Sequence, residues 1–329
     1  MSKKLLLAVP NFSDGQNLEA INEVVEAVRK VDSVKIVAVE PEHNFNRTVL
    51  TYLVDTDHVE ESMLTMAGAV YKHVNMEVQK GDHPRIGALD TFPIFPLENV
   101  TIEETTALAE KLGQSLFDHY KVPVYFSGLN ARTDYKKSNT NIRRGQYEGL
   151  KALLEDKNHP DYETRKPDLS VNGELDAKMG ACTVTADYEG LVAYNVFVES
   201  EDVSIAKEIA KLVKSEEQGW LSIKSVGFKD EGKPGTAVSM NVFNCTETPL
   251  VMLRDYVAKK AEERGTKVIG TELVGPLKLV YVVEAARAFG YEFDGKDFAT
   301  LVKVLEDNMG LIGFDAEQII EYHLQPVTL

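Results

Sequence analysis

The sequence predicts an α+β protein of two subdomains, each of split βαβ order, with a ligand cleft between them. Three observations carry this reading. Apolar runs of period 2 are interleaved with amphipathic stretches of period 3.6. Both halves repeat one order of elements: strand, helix, strand, strand, helix, strand. A polar stretch with no sustained apolar period lies between them and places the boundary at residue 180, giving subdomains 1–180 and 181–329. A chain of 329 residues suits two such units better than one.

In the first half, the apolar run 5–9 is a strand, and Ser13 with Gln16 forms a capping box that opens a helix to about residue 30. Residues 34–40 and 47–54 are strands joined by a turn. Val59, Met63, Met66, Ala67, Val70, Val74 and Val78 fall on one stripe of a long helix, which is a core face. Residues 91–97 read as an edge strand, because neither Pro93 nor Pro96 has an N–H to give to a ladder. Thr101 with Glu104 caps a helix whose Leu108, Leu112 and Leu116 face inward, and 122–127 returns as a strand. From 128 to 180 only a short helix near 147–154 interrupts a long connection.

In the second half, 191–198 is a strand and 202–214 a helix. Residues 220–228 and 236–243 form a hairpin around Gly232-Lys233-Pro234-Gly235. A helix over 249–264 and a strand over 267–274 complete the repeat, which is the order of ferredoxin-like sheets. Pro276 starts a further helix, and a helical extension follows around 298–306 and 316–324.

Composition narrows the function. With 52 acidic against 36 basic side chains the net charge is −16, which opposes attraction to nucleic acid and to anionic membranes. The N-terminal apolar run is too short for a signal segment or a membrane span, so the expectation is a soluble, cytoplasmic protein. Cys182 and Cys245 sit in apolar runs and read as buried thiols, neither a disulfide framework nor a metal site. No phosphate-binding glycine fingerprint, zinc spacing or nucleophile elbow occurs, so no metal is expected.

The run Lys80-Gly81-Asp82-His83-Pro84-Arg85-Ile86-Gly87-Ala88-Leu89-Asp90 gathers a histidine, an arginine and two carboxylates in a loop bounded by Gly and Pro. Pro84 disfavours helical angles at His83, and imidazole is the side chain suited to exchange protons near neutral pH. The other six histidines stand alone or on helices and read as structural or exposed. Residues 128–144 carry Arg132, Lys136, Lys137, Arg143 and Arg144 against the single acid Asp134, a basic island in an acidic chain. Such an island is either a solvated surface or a site for a small anion.

Several segments in order resemble the glutamate formiminotransferase (formimidoyltransferase) family over residues 5–289. These are Val9-Pro10-Asn11-Phe12-Ser13-Asp14-Gly15, Asn46-Arg47-Thr48, the His83 loop, Val122-Pro123-Val124-Tyr125 and Ile142-Arg143-Arg144-Gly145-Gln146-Tyr147-Glu148. Ala193-Tyr194-Asn195-Val196 and Glu272-Leu273-Val274-Gly275-Pro276-Leu277 extend the likeness into the second half. The resemblance implies transfer of a formimino group from N-formiminoglutamate to N5 of tetrahydrofolate, the co-substrate, with release of glutamate in histidine degradation and one-carbon metabolism. A related formyl transfer is also within its scope. It implies a homodimer, and a stand-alone enzyme lacking the fused cyclodeaminase domain, with a separate cyclodeaminase downstream.

For the site, the resemblance points to His83 as the acid/base that takes a proton from the attacking nitrogen and delivers one to the departing glutamate nitrogen. Asp82, Asp90 or Glu40 is the carboxylate that would orient it, Glu40 standing where relatives carry an aspartate. Arg47, Arg85, Arg143 and Arg144 are candidates for the substrate carboxylates, Arg85 foremost among them, and the helix start at Gly275-Pro276 is a weaker one. Asn11, and by position only Asn172, Gly173 and Gly180 from the segment 168–180, are carried over as folate or substrate contacts. The competing readings are a folate-binding protein without chemistry, which would have no use for His83, and a structural module.

Overall fold

The computed structural model describes residues 3–214, 220, 223–229 and 232–324. The chain divides into two compact units, 1–188 and 189–329. This is eight residues later than the boundary read from the sequence, because 182–186 is a strand of the first unit.

In the first unit the strands are β1 (Leu5–Ala8), β2 (Asn11–Phe12), β3 (Lys35–Glu42), β4 (Arg47–Asp55), β5 (Leu89–Glu98), β6 (Val124–Gly128) and β7 (Cys182–Ala186). Val9-Pro10 breaks one line of chain into β1 and β2, and both pieces pair antiparallel with β4 on one side and β5 on the other. The sheet therefore runs β3, β4, β1/β2, β5, and then β7 and β6, which are added in parallel. Helices α1 (Leu18–Arg29), α2 (Val59–His73) and α3 (Ile102–Tyr120) belong to the same core. Every second residue of the strands joins it: Leu6 and Ala8, Tyr52 and Val54, Phe92 and Ile94, Val124 and Phe126, Cys182 and Val184. Three short helices, α4 (Asn139–Ile142), α5 (Gln146–Glu155) and α6 (Tyr162–Arg165), fill the connection between β6 and β7.

The second unit runs β8 (Val192–Val198), α7 (Val203–Val213), β9 (Ile223–Phe228), β10 (Thr236–Val242), α8 (Leu250–Glu262) and β11 (Val268–Val274). Its sheet order is β11, β8, β10, β9, antiparallel throughout. Numbered by order along the chain, the strands lie fourth, first, third, second, as do β5, β1/β2, β4 and β3 in the first unit. Helices α9 (Leu279–Ala288) and α10 (Phe298–Met309) and two 3-10 turns, Ala316–Gln318 and Ile320–Leu324, form the extension. Residues 221 and 222 of the expected hairpin lie outside the described residues.

The connection 128–180 holds α4 and α6 besides the one helix expected there, and four expected elements differ from the sequence reading, each for a local reason. The first helix is capped by Asn17 and not Ser13: Asp14 Oδ1 accepts the amides of Gln16 and Asn17, while the Ser13 hydroxyl donates to the Gly87 carbonyl at 2.7 Å. α2 stops at His73 because Val74 turns extended, and Val78, at 73% exposed, lies off the stripe. β5 is an interior strand despite its prolines, and Pro93 keeps its carbonyl in use by accepting the Val9 N–H. Pro276 precedes a helix that begins only at Leu279, whose amide is held by Glu321, so Gly275-Pro276 is not a helix start.

At one point glycine is a geometric necessity. Gly87 and Gly180 form an antiparallel bridge, a Cβ at Gly87 would stand 2.0 Å from the Ala181 carbonyl oxygen, and one at Gly180 would stand 2.2 Å from that of Ile86. Gly180 also has φ +72°, so alanine there adds backbone strain to the clash. We expect Gly87→Ala to lower unfolding stability by roughly 2–4 kcal/mol, at the upper end for single substitutions, because two backbones must separate. Chemical denaturation checks this, and a loss under about 0.5 kcal/mol, the range of neutral surface changes, would show that the crossing yields.

Candidate active site

The segment between α2 and β5 carries His83 and is tied down on three sides. Ser13 N–H donates to the Ala88 carbonyl, Ala88 N–H to Met179, and Ala181 N–H to Ile86, at 2.8–3.0 Å. The β3–β4 turn holds the near end: Asn46 Nδ2 donates to the Lys80 carbonyl at 2.6 Å, and Gln79 Nε2 to that of Asn46 at 3.1 Å. Asp90, 1% exposed, accepts the amides of Ile86 (2.6 Å) and Gly87 (3.3 Å) on Oδ1. Its other oxygen stands 2.5 Å from Arg143 Nη2. That contact is an ion pair without hydrogen-bond alignment, since Asp90 Oδ2 and Arg143 Nε are both buried without a hydrogen-bond partner.

Arg85 is the most thoroughly engaged group in the loop. Its Nε donates to Gln79 Oε1, Nη1 to Gln146 and Glu148, and Nη2 to the Gln79 carbonyl and Glu148, all at 2.7–2.9 Å. Hydrogen bonds from Arg85 and Lys80 hold the Glu148 carboxyl below the usual carboxylate range. Arg85 is 3% exposed with every nitrogen engaged, so this structure does not present it to a substrate carboxylate; it clamps the loop to α5.

His83, half-buried, opens onto a cavity of about 750 Å³ lined by Pro84, Thr140, Asn141, Arg143, Arg144, Gly145, Gln146 and Glu148. Arg47 Nη1 lies 2.8 Å from His83 Nε2, and Arg47 Nη2 meets both oxygens of Glu42 at 2.9 Å. A guanidinium has no acceptor, so Nε2 accepts and the ring proton resides on Nδ1. Burial first, then the positive charges of Arg47, Arg143 and Arg85, pull the His83 pKa down from 6.5 to about 3. The imidazole is thus neutral at physiological pH and chemically a base.

Of the three carboxylates expected beside the imidazole, Asp82 is exposed and Asp90 is committed to the loop amides and Arg143. Glu40 sits half-buried on β3, its pKa raised by burial and by the charge of Glu42 and opposed by Arg47. The carboxylate that engages Arg47 is Glu42, which the sequence reading missed. Its signal was the hairpin register, which sets Glu42 directly opposite Arg47. Gln79, Gln146 and Glu148, the partners of Arg85, were also missed and had no signal in spacing.

The basic island is mostly internal. Lys136 pairs with Asp168 at 2.7 Å with both side chains 5% exposed, Lys137 pairs with Asp134, and Arg132 stacks on Phe126 beside Glu110. Arg143 answers Asp90, and the Arg144 side chain alone of the five has no ion-pair partner among the described residues. Asn11 bonds its own Val9 carbonyl from β2. Asn172 is exposed, Gly173 packs against the Tyr162 hydroxyl at φ +78°, and Gly180 is buried against Gly87, where it supports the loop. Among the described residues no cluster of three or more side chains is fit to hold a metal ion, and no helix is long and apolar enough to cross a membrane.

The His83 geometry has a consequence for stability. A histidine whose folded pKa is lowered binds fewer protons folded than unfolded between about 3 and 6.5, so stability is fully present above 6.5 and falls as pH drops through that window. We expect the melting temperature of wild type to fall between pH 6.5 and 5 more steeply than that of His83→Gln. Parallel curves would show that the buried imidazole does not contribute.

Comparison with known proteins identifies the family. Residues 5–187 match the model of the formiminotransferase domain, N-terminal subdomain, and residues 193–325 match that of the formiminotransferase domain. The chain is 31% identical over 288 residues to a glutamate formimidoyltransferase of Thermoplasma acidophilum, covering 87% of this chain and 92% of that protein. It is 26% identical to the glutamate formimidoyltransferase of Streptococcus pyogenes serotype M1, covering 93% of this chain and 99% of the other. The formimidoyltransferase-cyclodeaminase of Gallus gallus is 30% identical and is matched over 60% of its length. Two successive domain models covering nearly the whole described chain show that it belongs to the formiminotransferase family, a family of transferases.

Proposed function

We propose that this chain transfers the formimino group of N-formiminoglutamate to N5 of tetrahydrofolate, giving 5-formimino-tetrahydrofolate and glutamate. The observation that carries the reading is His83, neutral and half-buried, at a cavity whose wall also presents Arg143 and Arg144. The family membership supplies the reaction class.

The chemistry follows from the groups present. N5 of tetrahydrofolate attacks the amidine carbon of the donor, and the tetrahedral centre then carries three nitrogens. His83 takes the N5 proton, and the imidazolium returns a proton to the glutamate nitrogen, whose bond to carbon breaks. A base already neutral at physiological pH can take the first proton, and the new imidazolium, destabilised by three arginines, gives it up readily. Arg47, Arg143 and Arg144 are the cations proposed for the carboxylates of donor and folate. Asn11, Asn172 and Gly173 are proposed folate or substrate contacts. Glu40 is proposed to act on His83 only through Arg47, whose charge it shares with Glu42.

We further infer that both units are ferredoxin-like, which the shared fourth, first, third, second strand order supports. A homodimer, a cytoplasmic location and formyl transfer as a side activity complete the proposal on family grounds.

Mixing N-formiminoglutamate and tetrahydrofolate with purified protein, without added metal or nucleotide, should release glutamate. His83→Ala should lower kcat about 10²–10⁴-fold with folate affinity retained, the usual worth of a positioned acid/base. Saturable folate binding without turnover in wild type would favour a folate carrier instead.

Among the described residues Arg144 is the cation of the basic island without an ion-pair partner, so its removal tests the anion role with least damage to the fold. Arg144→Ala should weaken polyglutamylated folate roughly 5- to 10-fold at low salt, more than the monoglutamate, and the difference should shrink as salt rises. Equal affinities for both forms in both proteins would make Arg144 an ordinary surface charge.

A further inference from the structure

Arg47 lies where a base needs to be free. Its Nη1 holds His83 Nε2 at 2.8 Å, and the proton-accepting lone pair of the imidazole points at that donor. Its other terminal nitrogen is held by both oxygens of Glu42 at 2.9 Å, and its Nε is buried with no hydrogen-bond partner. In this state Nε2 cannot accept a proton from any substrate. The cation that blocks it is of the type that recognises carboxylates.

We propose that Arg47 is a substrate-responsive positioning residue: a carboxylate of the glutamyl donor draws its guanidinium off His83 Nε2 and so frees the base. This rests on the reading of His83 as the proton carrier and adds a specificity device to it. A fork-shaped guanidinium prefers a bidentate carboxylate to a single imidazole nitrogen, so the donor supplies the differential interaction that a shift of state requires. Glu42 competes for the same guanidinium and sets how readily it moves. The exchange also replaces one of the positive charges beside the ring by a neutralised pair. Arg143 from the end of α4 and Arg85 from the loop still face the imidazole, and Glu42 stands behind Arg47. An amidine donor without carboxylates leaves Arg47 in place and is refused even where it fits.

The test uses full-length protein with nitrogen-15-labelled histidine, with L-glutamate, the product of the transfer, as probe and its diamide, which lacks both carboxylates, as control. On saturation with glutamate the His83 titration midpoint should rise by about one pH unit or more, and the Nε2 resonance should lose the signature of a nitrogen accepting a hydrogen bond. The diamide should change neither. Arg47→Ala should show the raised midpoint without glutamate. Glu42→Gln, which keeps the shape and loosens the hold on Arg47, should bind glutamate about 3- to 10-fold more tightly, whereas a merely structural pair would leave affinity unchanged or weaken it. In turnover, formamidine, the smallest amidine donor, should be used better by Arg47→Ala than by wild type, while N-formiminoglutamate loses kcat/KM.

Three results overturn the proposal: no glutamate binding, glutamate binding that leaves the His83 midpoint unmoved, or a midpoint in Arg47→Ala as low as in wild type. If Arg47→Ala does not fold, the Glu42→Gln affinity and the wild-type titration decide alone. Failure of the underlying reading looks different: His83→Ala would then turn over normally even though the glutamate-induced exchange is seen.

Discussion

Asp90 is the constraint on which the rest of the site depends. A carboxylate 1% exposed at the start of an interior strand must be compensated, and its compensation is the His83 loop itself: two backbone amides on one oxygen and a guanidinium on the other. The sheet thereby dictates the path of residues 86 and 87, and Gly87 is carried onto Gly180 closely enough that neither tolerates a side chain. Arg143 is fixed by the same contact at the wall of the cavity. Loop, wall and sheet are thereby tied to one another, which is the mounting that the base proposed at His83 requires.

Electrostatics in this object run opposite to the whole chain. A protein of net charge −16 surrounds His83 with three arginines, and their effect adds to burial in keeping the imidazole neutral. All three are answered by acids, Arg85 by Glu148, Arg143 by Asp90 and Arg47 by Glu42. Arg47 differs in that the ring nitrogen is itself one of its two partners. The acids restrain the cations without neutralising the environment that His83 experiences.

Much of this was legible in the sequence. The repeated order of elements, the Thr101–Glu104 capping box and the inward face of α3 follow from period and caps, and the structure has them where local rules put them. Pro93 and Pro96 misled, because a strand can be interior and still place a proline such as Pro93 where only its carbonyl is used. The apolar, strand-like run at Cys182 is a strand, but it was assigned to the second half, because only its parallel pairing with β5 and β6 ties 182–186 to the first unit. For the site, His83 stood out because its loop is locally odd. The division of labour among the arginines did not, because whether a guanidinium faces a substrate or a buried acid depends on residues such as Glu148, 63 positions away in sequence from Arg85.

The measurement that bears most directly on this account is a crystal structure of the protein with tetrahydrofolate and glutamate bound. The account predicts folate N5 and the glutamate nitrogen on either side of His83, each within hydrogen-bond reach of about 3 Å directly or through one water, with a ligand carboxylate on Arg144. Both ligands seated away from the cavity at His83, with the Asp90-held loop touching neither, would contradict it.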